Sequence, residues 1–128
     1  MPLYRCAIRE GISTEEQRAH IAKEVVRVHC GVTAAPPSFV HAFFQERKAD
    51  ELPPGKAAFM LGSIRWGRTD EQKAEIVADL TKALADTLGC DASEVGVATV
   101  DVPSKWNMEG GELLPEPGEE AEWLERHR

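Results

Sequence analysis

The sequence predicts an α+β domain with two layers, in which two consecutive β-α-β units form a four-stranded sheet with both helices on one face. Three observations support this prediction. Short apolar segments alternate with longer segments that have helical spacing. A capping-box spacing precedes each helical segment, and a glycine follows it. These signals recur after about 56 and about 58 residues, which indicates an internal repeat.

The first unit occupies residues 2–46. Residues 3–8 have the composition of a short strand. Ser13 and Glu16 then show the S-x-x-E spacing of a capping box, which predicts that a helix begins there. Gly31 predicts its end, and residues 38–45 are apolar and aromatic, which favours a second strand. One apolar stripe runs along the predicted helix and comprises Ile21, Ala22, Val25 and Val28.

The second unit occupies residues 57–101 and repeats this order. Residues 57–64 and 95–100 have the pattern of strands. Thr69 and Gln72 supply the second capping box, and Gly89 predicts the end of the second helix. A loop rich in proline and glycine joins the two units. The apolar stripe of the second helix comprises Ile76, Val77, Leu80, Ala83, Leu84 and Leu88.

The connection within each unit predicts a right-handed crossover between parallel strands. With both helices on one face, the opposite face of the sheet needs a cover, so we expect a homo-oligomer. A length of 128 residues predicts one domain over residues 1–128. Residues 102–128 form a C-terminal arm, broken by proline and glycine, whose end predicts a short acidic helix carrying Trp123. Either this arm is solvated or it docks on a neighbouring subunit.

The overall charge and composition exclude several classes of function. A net charge of −7 argues against a nucleic-acid partner, which requires a basic surface. No run of residues approaches the ~18 apolar positions that a membrane span needs, and the first residues do not resemble a signal peptide. We therefore expect a cytoplasmic protein with no membrane partner. Three widely spaced cysteines predict neither a disulfide framework nor a metal site.

Pro2 and His29 are the first candidate site residues. Removal of Met1 would leave Pro2 with a free secondary amine, and burial or nearby cations would lower its pKa from about 8 towards neutrality. The alternative is that Pro2 only fixes the backbone. His29 shares the apolar stripe of the first helix and is predicted in its last turn, where the helix dipole favours the protonated imidazole. The alternative is a core or capping histidine.

Arg65 and Arg68 lie between a strand and the second helix, in the segment SIRWGRTDEQ. Two guanidinium groups beside a helix N-terminus form an anion site, and a carboxylate is the natural ligand. Two surface arginines that balance nearby acids are the alternative. Glu109 stands in a glycine-rich turn after the last strand, from which it could orient a water molecule. The alternative is that an acidic residue stands there by chance, because acidic residues are abundant in this chain.

Four segments together resemble the tautomerase superfamily, and within it the cis-3-chloroacrylic acid dehalogenase group. They are MPLYRC, RVHCGVT, RWGR and MEGGELLPEPGEEAEW, in the same order and with similar spacing over nearly the whole chain. The resemblance implies a trimer of paired β-α-β units. It implies no cofactor and no metal ion.

The resemblance also implies roles for the candidate residues. Pro2 is similar to the family's general acid or base, and His29 to the histidine that binds the substrate carboxylate or the activated water. Arg65 and Arg68 resemble the pair that holds the carboxylate. Glu109 resembles the acid that activates water for addition to C3 of a 3-haloacrylate, a reaction whose halohydrin product loses halide to give malonate semialdehyde.

One position departs from the dehalogenase pattern, which has a tyrosine on the last strand, eleven residues before the acid. This chain has Ala98 there. Two enzymatic hypotheses therefore stay open: a hydratase or dehalogenase acting on small unsaturated carboxylates, and a keto-enol tautomerase of the phenylenolpyruvate type. A hypothesis of another class is a non-catalytic binding module on the same fold.

Overall fold

The structure, a computed structural model, describes residues 1–126. Four strands form the main sheet, two long helices pack on it, and a short hairpin and a third helix follow. The strands are β1 (Leu3–Arg9), β2 (His41–Arg47), β3 (Ala58–Arg65), β4 (Val95–Val102), β5 (Met108–Glu109) and β6 (Glu112–Leu113), and the helices are α1 (Glu15–Thr33), α2 (Asp70–Leu88) and α3 (Glu120–Arg126). No helix within these residues is long and apolar enough to cross a membrane.

The sheet confirms the prediction of two β-α-β units. Its strand order is β2-β1-β3-β4. Strand β1 pairs in parallel with β2, and β3 pairs in parallel with β4. The two units join through the antiparallel pair of β1 and β3, in which Tyr4 lies opposite Gly62. The pairs of parallel strands are thus local to each unit, and the seam at the centre of the sheet is antiparallel.

Helix α1 begins one residue later than the sequence predicted. Thr14, not Ser13, is the N-cap: its hydroxyl accepts from the Gln17 N–H at 3.1 Å, and the Gln17 side chain accepts from the Thr14 N–H at 2.8 Å. The Ser13 hydroxyl instead accepts from Arg18 at 2.8 Å. Serine and threonine are both good N-caps, and glutamine can replace glutamate at the third helical position. The local sequence therefore does not distinguish a capping box at Ser13 and Glu16 from one at Thr14 and Gln17.

The prediction that Gly31 ends α1 is also wrong. The helix continues to Thr33 and ends at Ala34, which adopts the left-handed conformation with φ 61°. The Ala34 N–H donates to the Cys30 carbonyl at 2.8 Å, and the Thr33 hydroxyl donates to the His29 carbonyl at 2.7 Å. These bonds satisfy carbonyl groups that a helix end leaves open.

The predicted ends of α2 are confirmed, whereas the second strand begins later than predicted. Thr69 and Gln72 form a capping box, and Gly89 ends α2 at φ 70°, both as predicted. Of the strand predicted over residues 38–45, the first part is a single 3-10 turn at Pro37–Phe39, and the strand itself begins at His41. The turn follows from consecutive prolines, since Pro36 and Pro37 cannot donate to a strand ladder.

The hydrophobic core lies between the sheet and helices α1 and α2. Alternate residues of β1 point into it, and Tyr4, Cys6 and Ile8 are buried there. Within residues 1–126 the opposite face of the sheet carries no helix. Leu3, Arg5, Phe43, Leu61 and Ser63 line a shallow depression on that face.

The C-terminal arm packs on its own chain. The two alternatives from the sequence, a solvated arm and an arm docked on a neighbouring subunit, did not include this arrangement. Trp123 of α3 meets Phe39 edge-to-face, with 5.6 Å between ring centroids, and its indole N–H donates to the Leu113 carbonyl at 2.7 Å. Leu114 is buried in the same cluster, and the Met1 side chain packs against it. The predicted acidic helix over 119–128 is α3, and its last two residues, His127 and Arg128, lie outside the described residues.

Gly62 makes room for the Tyr4 ring, so we expect Gly62→Ala to destabilise the fold. A Cβ at this position would lie 2.5 Å from the Tyr4 Cε1. Because the ring is fully buried, it can move aside only by disturbing the core, at a cost of about 1–3 kcal/mol in the free energy of unfolding. Urea denaturation measures this loss.

Gly31→Ala is the matched control. Gly31 is helical and exposed, and nothing lies within 4 Å of an added Cβ. We expect it to stabilise the protein by up to about 1 kcal/mol, as alanine does in a helix interior. Equal effects of the two substitutions would contradict the packing argument.

Candidate functional site

A cavity of about 460 Å³ opens where the chain terminus, the end of α1, the β3–α2 loop and the arm meet. Much of its lining is apolar: Ala34, Ala35, Pro36, Phe39, Leu114, Ala121 and Leu124. Its charged lining consists of Arg65, Arg68 and Glu120, and Met1 also borders it. The cavity therefore combines an apolar wall with two guanidinium groups and one carboxylate.

Arg65 is the last residue of β3, and its guanidinium is buried under the arm. Its Nη1 donates to the Pro115 carbonyl at 2.9 Å, and its Nη2 donates to Glu120 Oε1 at 2.5 Å. The Arg65 side chain is only 8% exposed. A buried guanidinium needs acceptors for its N–H groups. The arm supplies two acceptors, the Pro115 carbonyl and the Glu120 carboxylate.

Arg68 lies in the loop before α2, next to the N-cap Thr69. Its Nε is buried and has no hydrogen-bond partner, and no ion pair of Arg68 occurs within residues 1–126. Burial lowers the pKa of Arg68, and the neighbouring Arg65 lowers it further. Both arginines line the cavity, but among residues 1–126 only Arg65 is ion-paired with a carboxylate.

His29 lies one turn before the end of α1 and is buried. Its Nδ1 is 2.8 Å from the Tyr4 hydroxyl. Burial lowers the pKa of His29 to about 4, and the positive charges of Arg68, the chain terminus and Arg65 act in the same direction. Loss of solvation and these three nearby cations oppose the helix dipole, which by itself would favour the protonated imidazole.

Glu109 lies in the β5–β6 hairpin and forms an ion pair with the amine of Met1. Its other oxygen is 3.2 Å from His41 Nε2. Burial raises the pKa of Glu109, but the bonds from the terminal amine and from His41 outweigh it, so the pKa lies below its usual value. Glu109 is thus a carboxylate at neutral pH. Pro2 is buried beside it, and its carbonyl accepts from the His41 N–H at 3.0 Å.

The structure thus brings the five predicted residues into one region. Arg65 and Arg68 line the cavity itself, and Glu109 contacts the chain terminus that borders it. Pro2 and His29 are not among the lining residues. Pro2 is bonded to Met1, which borders the cavity, and His29 lies within electrostatic reach of both arginines and of the terminus. Within residues 1–126 no group of three His, Cys, Asp or Glu side chains is placed to hold a metal ion.

Three residues of this region had no predicted role. Tyr4 orients the His29 ring, His41 contacts Glu109, and Glu120 pairs with Arg65. For Tyr4 a signal existed, because alternation along residues 3–8 places its side chain on the helix-facing side of the sheet. Neither His41 nor Glu120 had a local signal, since their partners are 68 and 55 residues away in the sequence.

The arrangement can bind a small anion and move a proton. Cationic side chains in a cavity that excludes water stabilise negative charge on a bound carboxylate and on the carbon next to it. A neutral imidazole can donate or accept a hydrogen bond, and an ionised carboxylate can accept a proton from water. These are the groups that proton transfer next to a carboxylate requires.

The neutral state of His29 predicts a pH dependence of folding. Because its pKa is lower in the folded protein than in the unfolded chain, its unfavourable contribution appears as pH falls from about 6.5 and reaches about 3 kcal/mol by pH 4. We expect His29→Gln to remove this part of the acid sensitivity. Urea denaturation of both proteins between pH 7 and pH 4 measures it, and identical pH profiles would rule out a buried neutral imidazole.

Comparisons with known proteins agree with this geometry. Residues 63–114, which include both arginines and Glu109, match the family model described as tautomerase enzyme. The chain is 43% identical over 54 residues to "Probable tautomerase bsl7456" of Bradyrhizobium diazoefficiens, covering 42% of this chain and 81% of the relative.

Two solved structures extend the similarity over nearly the whole fold. The chain superposes on N1, a member of the cis-3-chloroacrylic acid dehalogenase family, with a TM-score of 0.88 and 32% identity, over 97% of this chain and 91% of that one. It superposes on a fused 4-OT that forms a symmetric trimer with a TM-score of 0.75 and 27% identity, over 88% and 94% of the two chains. Identity at this level over such a share of both partners shows that the chain belongs to the tautomerase superfamily.

Proposed function

We propose that this protein is an enzyme that uses Pro2 to transfer protons on small unsaturated carboxylates, as a hydratase or dehalogenase of the cis-3-haloacrylate type. One observation carries the proposal. The chain terminus borders the same cavity as Arg65 and Arg68, and its amine is ion-paired with Glu109. Met1 is bonded directly to the Pro2 nitrogen, so its removal makes that nitrogen the new chain terminus, next to the space that Met1 vacates at this cavity.

The residues then have distinct roles. Arg68 binds the substrate carboxylate, and Arg65 lies beside it, paired with Glu120. Together they stabilise the charge that develops as water adds to C3. Glu109 accepts a proton from that water, and the Pro2 ammonium delivers a proton to C2. With a 3-haloacrylate, the resulting halohydrin loses halide and a proton to give malonate semialdehyde. His29 is neutral and offers a hydrogen bond to the carboxylate or the water, with its ring oriented by Tyr4.

A keto-enol tautomerase of the phenylenolpyruvate type is the second candidate, and Ala98 favours it. A methyl group on β4 cannot assist an attacking water as the tyrosine of the dehalogenase pattern would. In this reaction no water is added. Pro2 as a neutral amine takes the proton of the enol hydroxyl and returns one to the carbon, while Arg68 holds the carboxylate.

We further propose a homotrimer. The sheet face without helices includes Phe43 and Val100, both large and partly exposed apolar side chains. Burying such a face between subunits would remove apolar area from water. The trimeric assembly of the fused 4-OT relative supports this arrangement.

Pro2→Ala is expected to lower kcat/KM by about 100-fold or more, because it replaces the secondary amine in the acid-base step. Activity is measured as malonate semialdehyde released from cis-3-chloroacrylate or propiolate, and as ketonisation of phenylenolpyruvate. Mass spectrometry of the purified protein should show that Met1 is absent. A retained Met1, or unchanged kcat/KM in the variant, would instead support a non-catalytic binding module.

Glu109→Gln separates the two enzymatic candidates. Hydration needs a carboxylate to activate water, so we expect this variant to lose about 100-fold or more of that activity. Tautomerisation has no water to activate and should fall much less. Glu75→Gln, on the exposed side of α2, is the matched control and should keep the wild-type rate of both. Hydration that survives in Glu109→Gln would remove Glu109 from the mechanism.

A further inference from the structure

The two arginines of the cavity differ in what they already bind. The Arg65 guanidinium is buried and joined to the carboxylate of Glu120 at 2.5 Å and to the Pro115 carbonyl at 2.9 Å. Arg68 has a buried Nε without any hydrogen-bond partner and, within the described part of the chain, no ion pair. Within residues 1–126, Arg68 is therefore the arginine of this pair that has no ion-pair partner to give up to a ligand, and the charge of Glu120 reaches it only from a distance.

We propose that Glu120 is a specificity-determining residue, which neutralises Arg65 so that the site accepts one carboxylate, on Arg68, and rejects a second. This inference rests on the proposed function and deepens it, because it assigns the charge of the substrate. The site would take monocarboxylates in preference to dicarboxylates of the same shape.

The position of Glu120 supports this role. It is on α3, and a third of its side chain is exposed, so water screens its charge only in part. The α3 helix is fixed by the packing of Trp123 on Phe39 and by its bond to the Leu113 carbonyl. A second ligand carboxylate would have to displace Glu120 from Arg65, which would leave two anions side by side next to one cation.

The remainder of the cavity offers little to a second anion. Phe39, Leu114, Ala121 and Leu124 are apolar and bring no side-chain donor. The Met1 side chain packs against the cluster of Phe39, Leu114 and Trp123. After Met1 is removed, the place of that apolar side chain suits an uncharged carbon substituent of the substrate. A second anion there would lose its hydration beside a terminal amine that Glu109 already pairs with.

Crotonate and fumarate test the proposal, since they share a four-carbon trans-alkene skeleton and differ by one carboxylate. Binding of each is measured by NMR titration of the ¹⁵N-labelled protein without Met1. We expect the wild type to bind crotonate about tenfold more tightly than fumarate, and Glu120→Gln to bring the two dissociation constants close to each other. Arg68→Met should lose binding of both ligands.

Glu122→Gln is the matched control, because Glu122 lies on the same helix and pairs with the exposed Arg126. It should keep the wild-type ratio. Glu120→Met, which removes the charge but retains much of the side-chain volume, should act like Glu120→Gln. In each variant the indole N–H signal of Trp123 reports whether α3 is still docked.

A wild type that binds fumarate as tightly as crotonate would overturn the proposal. So would a ratio that stays at the wild-type value in both Glu120 variants. The readout is binding, so it is separate from the test of catalysis. Full activity of Pro2→Ala would defeat the proposed function and leave this ratio unaffected, and an unchanged ratio would defeat this inference alone.

Discussion

The site depends on the burial of the Arg65 guanidinium under the C-terminal arm. A guanidinium that leaves water must recover its hydrogen bonds within the protein. Arg65 recovers them from the Pro115 carbonyl and from Glu120, both on the arm. The arm in turn is held by Trp123 against Phe39. One ion pair therefore links the end of β3, the arm and the wall of the cavity.

The electrostatics of the region follow from this arrangement. The two arginines and the terminal amine lie close enough to His29 to lower its pKa, and burial lowers it more. Glu109 and Glu120 balance the terminal amine and Arg65, respectively. The region therefore contains both signs of charge, with a neutral imidazole and ionised carboxylates. Among the two arginines and the terminal amine, only Arg68 has no ion-pair partner within residues 1–126.

The fold positions these groups through its internal repeat. The two parallel pairs of strands meet at an antiparallel seam, which places the beginning of β1 beside the end of β3. The chain terminus and Arg65 consequently lie at the same end of the two central strands. The β5–β6 hairpin and α3 lie over this end, and both belong to the segment that follows the second unit. The repeat builds the sheet, and the arm completes the cavity.

The sequence by itself determined the two β-α-β units, since hydrophobic periodicity and the cap at Thr69 are local signals. It also identified the segment with Arg65 and Arg68 and the resemblance that the comparisons bear out. Local signals were ambiguous at α1, where Thr14 competes with Ser13, and Gly31 does not end the helix. Only the tertiary structure decided that His29 is neutral, that the arm folds onto its own chain and that Glu120 holds Arg65. All three features are caused by burial and by contacts between residues far apart in the sequence. A local sequence pattern contains no information about such contacts.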